Sequence, residues 1–303
     1  MREAITVRNL SYAYPDGTRA LEDVNMAVYE GERVAIVGPN GAGKTTFLLH
    51  LNGIMRNTEG QVEVFGKSVD TLKREEIIKE VGIVFQDPDD QLFMPMLFDD
   101  LAFGPINLGL KEEEVRKRVK KALLTLGLLG YEHRCPHHLS YGEKKKASLA
   151  AVMSMEPRIL VLDEPSANLD PRSRTELIGI IKELNEREGI TIVIATHDVN
   201  AIPALADRVY VLNKKIIAEG TPQKMFSDVE LLKENNLEVP EVFKLFEVLR
   251  CFGYNYEELP LSIDEAVEHL TRTVAINGGH IHLHIHEHTH EEVKKLKDKY
   301  EHH

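Results

Sequence analysis

The 303-residue chain is poor in cysteine, with only Cys135 and Cys251. That excludes a disulfide framework and fits a reducing cytosol. No apolar run approaches the roughly 18 residues that would suggest a membrane span. The opening stretch MREAITVRNL has no apolar core of a secretory signal. Net positive charge is missing too: 37 basic against 49 acidic side chains gives −12. This argues against a nucleic-acid binder that works by general positive charge. What is present is an ordinary globular balance, 43% apolar and 28% charged. The length is a prior for about two domains. Histidine is in excess: of 14 residues, eight lie between His280 and His303.

Runs rich in β-branched residues predict strands at Ala4–Val7, Val24–Val28, Arg33–Val37, Gly60–Phe65, Val81–Phe85, Ile159–Leu162, Ile190–Thr196 and Arg208–Leu212. Several are apolar nearly throughout, as strands buried on both faces of a parallel sheet are. A helix is expected from Lys44, with Phe47, Leu48 and Leu51 on one face. Lys111–Leu126 predicts a charged helix with an apolar stripe of Val115, Val119, Ala122, Leu123 and Leu126. It belongs to a helical insertion at about 87–155. Further helices are expected at Ser140–Met155, Val199–Ala206, Pro240–Phe252 and Ser262–Leu270. A domain boundary is placed near residue 222, giving segments 1–222, 223–272 and 273–303.

Gly38-Pro39-Asn40-Gly41-Ala42-Gly43-Lys44-Thr45, followed by Thr46, matches the phosphate-loop pattern G-x-x-x-x-G-K-[ST] between a strand and a helix. Its glycines let successive N–H groups turn inward toward phosphate oxygens, and the helix N-terminus adds partial positive charge. Lys44 is expected on the β- and γ-phosphates and Thr45 on Mg²⁺. The strand Ile159–Leu162 delivers Asp163 and Glu164 at its carboxyl end, where ligands bind in an open α/β sheet. Asp163 is expected to hold Mg²⁺, and Glu164 to polarise water for attack on the γ-phosphate.

With these motifs, residues 3–225 resemble the ATPase subunits of ABC transporters. Leu139-Ser-Tyr-Gly-Glu143 is similar to that family's signature, Leu-Ser-Gly-Gly-Gln. Gln86 resembles the glutamine of its Q-loop, Ser166–Asp170 its D-loop and His197 its switch histidine. Tyr14 sits where the family places an aromatic on adenine. The resemblance implies an α/β, P-loop ABC-type fold: a β-rich N-terminal subdomain, a helical insertion and a small C-terminal helical extension. It implies that Ser140 and Gly142 meet the γ-phosphate held by a second ATPase subunit, identical or paired. It further implies that Gln86 contacts Mg²⁺ and that His197 contacts the γ-phosphate. Ser140 with Glu143 also reads as a capping box. Tyr141 and Glu143 depart from the pattern: a Tyr is unfavourable wherever φ must be positive, and Glu143 adds negative charge near nucleotide.

Val84-Phe-Gln-Asp-Pro-Asp-Asp-Gln-Leu-Phe93 resembles energy-coupling-factor transporters, particularly the cobalt and nickel importers. This implies an ATP-hydrolysing subunit on the cytoplasmic face of the membrane. It implies as partners a transmembrane coupling protein and a substrate-specific membrane component, with no nucleic acid. Asp87, Asp89 and Asp90 would supply charge at that contact, and Phe93, Met94 and Met96 an adaptable apolar surface. Vitamin uptake, or an ABC-type ATPase acting on nucleic acid or ribosomes, is the alternative. Leu237–Leu270 resembles the family's C-terminal extension. Its stripe of Val242, Leu245, Phe246 and Leu249 packs either within the chain or across a dimer.

His280, His282, His284, His286, His288 and His290 alternate perfectly, and Asn277-Gly278 before them is a hairpin signal. A hairpin there would carry all six imidazoles on one face, offered to Co²⁺, Ni²⁺ or Zn²⁺. His302 and His303 are left out of this reading. Cys135, His137 and His138 read as part of the loop leading into the signature rather than as a second metal site.

Overall fold

A computed structural model describes residues 2–56, 59–254, 258–276, 283 and 289–301. It divides into two compact units, Met1–His197 with Leu205–Glu219, and Asp198–Ala204 with Gly220–His303.

The first unit is built on two sheets. Strands β1 (Glu3–Ala13), β2 (Arg19–Tyr29), β4 (Glu59–Val64) and β5 (Lys67–Ser68) form a four-stranded sheet in the order β2-β1-β4-β5. β1 pairs antiparallel with β2 and β4, and β4 with β5. Strands β3 (Arg33–Val37), β6 (Val81–Val84), β7 (Ile159–Asp163), β8 (Thr191–Thr196), β9 (Arg208–Asn213) and β10 (Lys215–Gly220) form a six-stranded sheet. Its order is β10-β9-β3-β8-β7-β6. The pairings of β3 with β8 and β9, and of β7 with β6 and β8, are parallel. Every residue of β7 and β8 is buried. That is why these segments read as unbroken apolar runs rather than alternating ones.

One apolar core joins the two sheets. It includes Ile5, Val28 and Val64 from the antiparallel sheet, and Val34, Ile36, Val161 and Val193 from the parallel one. Phe47, Leu48 and Leu51 of helix Lys44–Leu51 complete it. The insertion is three helices packed on one another, Leu97–Asn107, Glu112–Thr125 and Tyr141–Met153. In the second, Val115, Val119, Ala122 and Leu123 are buried as the stripe requires. An 18-residue helix, Pro171–Glu188, follows β7 and is not among the helices expected from the sequence. Its signals are an Asp-Pro start, with Asp170 capping the N–H groups of Arg172 and Ser173, and buried Leu177, Ile181 and Leu184 at helical spacing.

The predicted helix Val199–Ala206 is instead a 3₁₀ turn, Val199–Ala201, followed by the short helix Ile202–Leu205. The Asp198 carboxylate accepts the N–H of Asn200 and tightens the first turn. In the second unit, helix Glu241–Cys251 buries Val242 and Phe246 against Tyr254 and Ala266, with Leu249, Leu259 and Leu270 packed around them. The stripe therefore packs within the chain, except Leu245, which is 55% exposed.

The hairpin expectation is corrected at both of its described ends. Thr273–Ile276 is the last turn of helix Ile263–Ile276, not a strand. The helical period carries on from Ala266 through Leu270 to Thr273. The Thr273 hydroxyl donates to the carbonyl of His269 one turn back and meets the Tyr254 hydroxyl. His290 lies in the first turn of helix Thr289–Glu301 and is exposed, so it shares no strand face with the others. His280, His282, His284, His286 and His288, with the Asn277-Gly278 turn, lie outside the described residues.

The packing of the second unit predicts a contrast. Phe246→Ala should cost about 3–5 kcal/mol because the ring is fully enclosed, whereas Leu245→Ala should stay within about 0.5 kcal/mol. Chemical denaturation of the full chain, followed by far-ultraviolet circular dichroism, measures both.

Candidate active site

Register places the site. In the parallel sheet Val37 lies beside Thr196 and Val211, Asp163 beside Ala195, and Val84 beside Leu162. The residues that follow these strands therefore emerge along one edge: Gly38 after β3, Phe85 and Gln86 after β6, Glu164 after β7, and His197 after β8. This is the carboxyl edge, where parallel α/β sheets bind ligands.

The phosphate loop runs from Gly38 to the start of helix Lys44–Leu51. Gly43 caps that helix in the left-handed region, φ +94°, without a side-chain cap. A Cβ there would lie 2.4 Å from the carbonyl oxygen of Ala20. Only glycine meets both constraints. The Ala42 N–H donates to the Pro39 carbonyl (3.1 Å), and the Lys214 N–H donates to the Ala42 carbonyl (2.9 Å), fixing the loop's middle. Lys44 Nζ lies across the loop and donates to the carbonyls of Gly38 (2.7 Å) and Pro39 (3.1 Å). Burial lowers its pKa, opposed by the charges of Glu164 and Asp163.

The Thr45 hydroxyl donates to Asp163 Oδ2 at 2.6 Å. Burial raises the Asp163 pKa, against the Thr45 hydrogen bond that lowers it. A hydroxyl and a carboxylate, both hard oxygen donors, thus stand together at the foot of the loop. That donor set fits Mg²⁺. Thr45, Gln86, Asp163 and Asn168 also line a cleft of about 310 Å³, with Tyr141 on its wall.

Glu164 sits at φ +46°, a strained conformation for a residue with a Cβ. The residue is 5% exposed, and its carboxylate has three polar neighbours. Oε1 accepts the His197 N–H (3.1 Å) and sits 2.7 Å from His197 Nδ1; Oε2 accepts the Thr196 hydroxyl (3.2 Å). The His197 side chain is otherwise 60% exposed. Tyr14 reaches the same loop: its hydroxyl is 2.7 Å from Thr46 Oγ1, and its ring meets Tyr12 edge to face.

In the signature, Ser140 and Glu143 form the capping box read from their spacing. Ser140 Oγ accepts the Glu143 N–H (3.3 Å), and Glu143 Oε2 accepts the Ser140 N–H (2.7 Å). Glu143 Oε1 accepts the Tyr131 hydroxyl at 2.9 Å. These bonds, the Ser140 N–H first, hold the Glu143 pKa below its usual value. The extra negative charge is thus spent on tying the helix start to Tyr131. Tyr141 begins the helix at ordinary negative φ, so its side chain meets no backbone conflict. Gly142 is closely packed: a Cβ there would lie 2.8 Å from Ser173 Oγ of the following helix. His137 and His138 lie in a 3₁₀ turn, Pro136–His138, that leads into Leu139.

The sequence matches the family model for the ABC transporter over residues 21–167. It is 50% identical over 269 residues to the energy-coupling factor transporter ATP-binding protein EcfA of Methanothermobacter thermautotrophicus, covering 88% of this chain and 86% of that protein. It is 48% identical to the EcfA of Methanocaldococcus jannaschii, covering 81% and 88%.

The chain belongs to the energy-coupling-factor ATP-binding family of ABC transporters. It is an ABC ATPase: an ATP-binding, ATP-hydrolysing transporter subunit. The fold agrees. The structure of cbiO1 from Clostridium perfringens, part of the ABC transporter complex cbiONQ, superposes with a TM-score of 0.70 at 39% identity. That match covers 82% of this chain and all (100%) of the other. The ATP-binding cassette MJ0796, a dimer bound to ADP and Pi, gives 0.65 at 28% identity over 72% of this chain and 98% of that one. No helix among the described residues of this ABC ATPase is long and apolar enough to cross a membrane.

The sequence reading missed Lys145. It lies in a run of three lysines that looks solvent-facing, yet it is only 2% exposed. Its spacing from Ser148, Leu149 and Val152, all buried, was the available signal.

Gly43→Ala should cost about 1–3 kcal/mol in backbone strain and abolish saturable binding of a fluorescent ATP analogue, measured by titration. Unchanged affinity would show that the loop tolerates a Cβ at that position.

Proposed function

We propose that this ABC ATPase powers uptake of a transition-metal cation, cobalt or nickel, through a separate membrane partner. The observation that carries the catalytic part is the adjacency of Thr45–Asp163 and Glu164–His197 at the end of one buried strand. In this reading the loop N–H groups and Lys44 hold the phosphates of ATP. Tyr14 stacks on adenine, and Thr46 lies beside it. Thr45, Asp163 and Gln86 hold Mg²⁺, which, when bound, neutralises charge on the β- and γ-phosphate oxygens. Glu164 orients and deprotonates the attacking water, and His197 both holds that carboxylate and faces the γ-phosphate. Ser140 and Gly142 present the capped helix start to the ATP of a second ATPase subunit, so two chains enclose two nucleotides.

The membrane partner docks on the insertion. A cleft of about 570 Å³, lined in part by Ile54, Arg74, Phe93, Asp100, Phe103 and Met155, opens beside the Q-loop. Phe93 is 58% and Phe103 45% exposed, and the two rings meet edge to face. Of the three acids expected at this contact, Asp89 is already paired with Lys144 at 2.7 Å. Asp87 caps the 3₁₀ turn Pro88–Asp90. The ATPase then sits peripherally at the cytoplasmic face of the membrane. The cation cargo is supported by the segment Val84–Phe93 and by the histidine-rich stretch, which we read as a sensor or buffer for Co²⁺, Ni²⁺ or Zn²⁺.

Glu164→Gln should leave ATP binding within about threefold and cut turnover by about 10²–10⁴-fold. Full residual hydrolysis would refute the assignment. Chelation by EDTA should stop turnover, with recovery on adding Mg²⁺. The cargo is tested by purifying the native complex and assaying radiolabelled Co²⁺ and Ni²⁺ uptake in vesicles. Uptake of a vitamin, or retention on ribosomes without any membrane protein, would overturn it. Because helix Ile263–Ile276 runs past Val274, the histidine role is tested by serine substitution at His280–His288 rather than by truncation. Equal Co²⁺, Ni²⁺ and Zn²⁺ affinities in the two chains would remove it.

A further inference from the structure

Lys145 is a buried cation with no part in the reading above. It stands on the second turn of helix Tyr141–Met153, in the insertion, but its ammonium reaches out of that subdomain. Nζ donates to the carbonyl of Gln86 at 2.6 Å and to the carbonyl of Glu164 at 3.0 Å. One side chain therefore ties three segments together: the signature helix, the loop after β6 and the turn after β7. The Tyr141 ring covers it, with Nζ 6.0 Å from the ring centre.

The Glu164 turn needs such a hold. At φ +46° its conformation costs free energy that the surroundings must supply. The Glu164 N–H donates to Ala195 (2.9 Å), and its carbonyl accepts the Ala167 N–H (3.2 Å). Lys145 supplies a further bond to this backbone, and the only one from another subdomain among the described residues. Burying an amine is expensive unless it is hydrogen-bonded. A methionine would fill the same space without that cost, so packing alone does not account for a lysine here.

We propose that Lys145 is a positioning residue: it sets the backbone of Glu164 and of Gln86 from the signature helix, so that a displacement of that helix is felt at the hydrolytic carboxylate of the same chain. This rests on Glu164 being the hydrolytic residue. Burial lowers the Lys145 pKa to about 8, resisted by the nearby charges of Asp163, Asp87 and Glu164. If the signature meets the second subunit's ATP, the same tether links events at one nucleotide to hydrolysis at the other.

The test compares wild type, Lys145→Met, Lys145→Gln and Glu164→Gln in the full chain. Melting temperature, affinity for a fluorescent ATP analogue and turnover are measured on each. Met keeps the length and apolar stem but removes both bonds. Lys145→Met should keep its melting temperature, hold ATP affinity within about threefold and lose about 100-fold in turnover, as expected for a small misplacement of a reacting group. Lys145→Gln retains two amide N–H donors and should recover about tenfold of that loss. Wild-type turnover in Lys145→Met would overturn the proposal while leaving Glu164 intact. Parallel loss of melting temperature, ATP affinity and turnover, without recovery in Lys145→Gln, would also overturn it, in favour of a folding role. Full hydrolysis by Glu164→Gln would overturn this inference together with the reading beneath it.

Discussion

Two carboxylates at the end of a fully buried strand impose the constraint on which this ATPase depends. Asp163 and Glu164 are 3% and 5% exposed, and acids at such depth must be paired or hydrogen-bonded. Their partners come from different strands of one sheet: Thr45 from the loop after β3, Thr196 and His197 from the end of β8. Parallel register aligns those ends within a residue or so of one another. A one-residue slip of β8 would carry His197 away from Glu164, so the observed register is what brings the pair together.

The insertion reaches the same site through a polar connection. Its three helices bury their own apolar stripes, and Val152 of the last packs directly on Gly82 of β6. Polar bonds add to that contact: Lys145 to the two loop carbonyls, Lys144 to Asp89, and Gln91 between the Phe85 N–H and the Ser148 carbonyl. Polar links of this kind have directional geometry, so they fix the relative placement of the segments they join. The same economy appears in the signature, where Glu143 in place of glutamine uses its charge to accept the Ser140 N–H and the Tyr131 hydroxyl.

Much of the fold was legible because burial leaves a periodic trace. All eight strands read from the sequence are present, β3 with the same bounds. The insertion helix Glu112–Thr125 kept its stripe. The reading failed where two periods compete. Thr273–Ile276 is rich in β-branched residues and precedes Asn-Gly, a hairpin signal; packing of Ala266 and Leu270 into the second unit's core extends the helix through it. Local preference lost to tertiary burial. The helix Pro171–Glu188 carries its start signal, Asp170-Pro171, inside the segment that resembles the D-loop.

By itself the sequence determined the chemistry available: a phosphate loop, a strand ending in two acids, and the spacing that marks an ABC ATPase. These are local properties, set by glycine freedom, strand periodicity and capping. The tertiary structure decided how the groups are paired. That His197 rests on Glu164, that Tyr14 meets Thr46, that Gly142 packs against Ser173 and that Lys145 holds two distant carbonyls all depend on contacts between residues far apart in the chain. No residue spacing encodes such contacts, because they arise only when sheet register and helix packing bring the segments together.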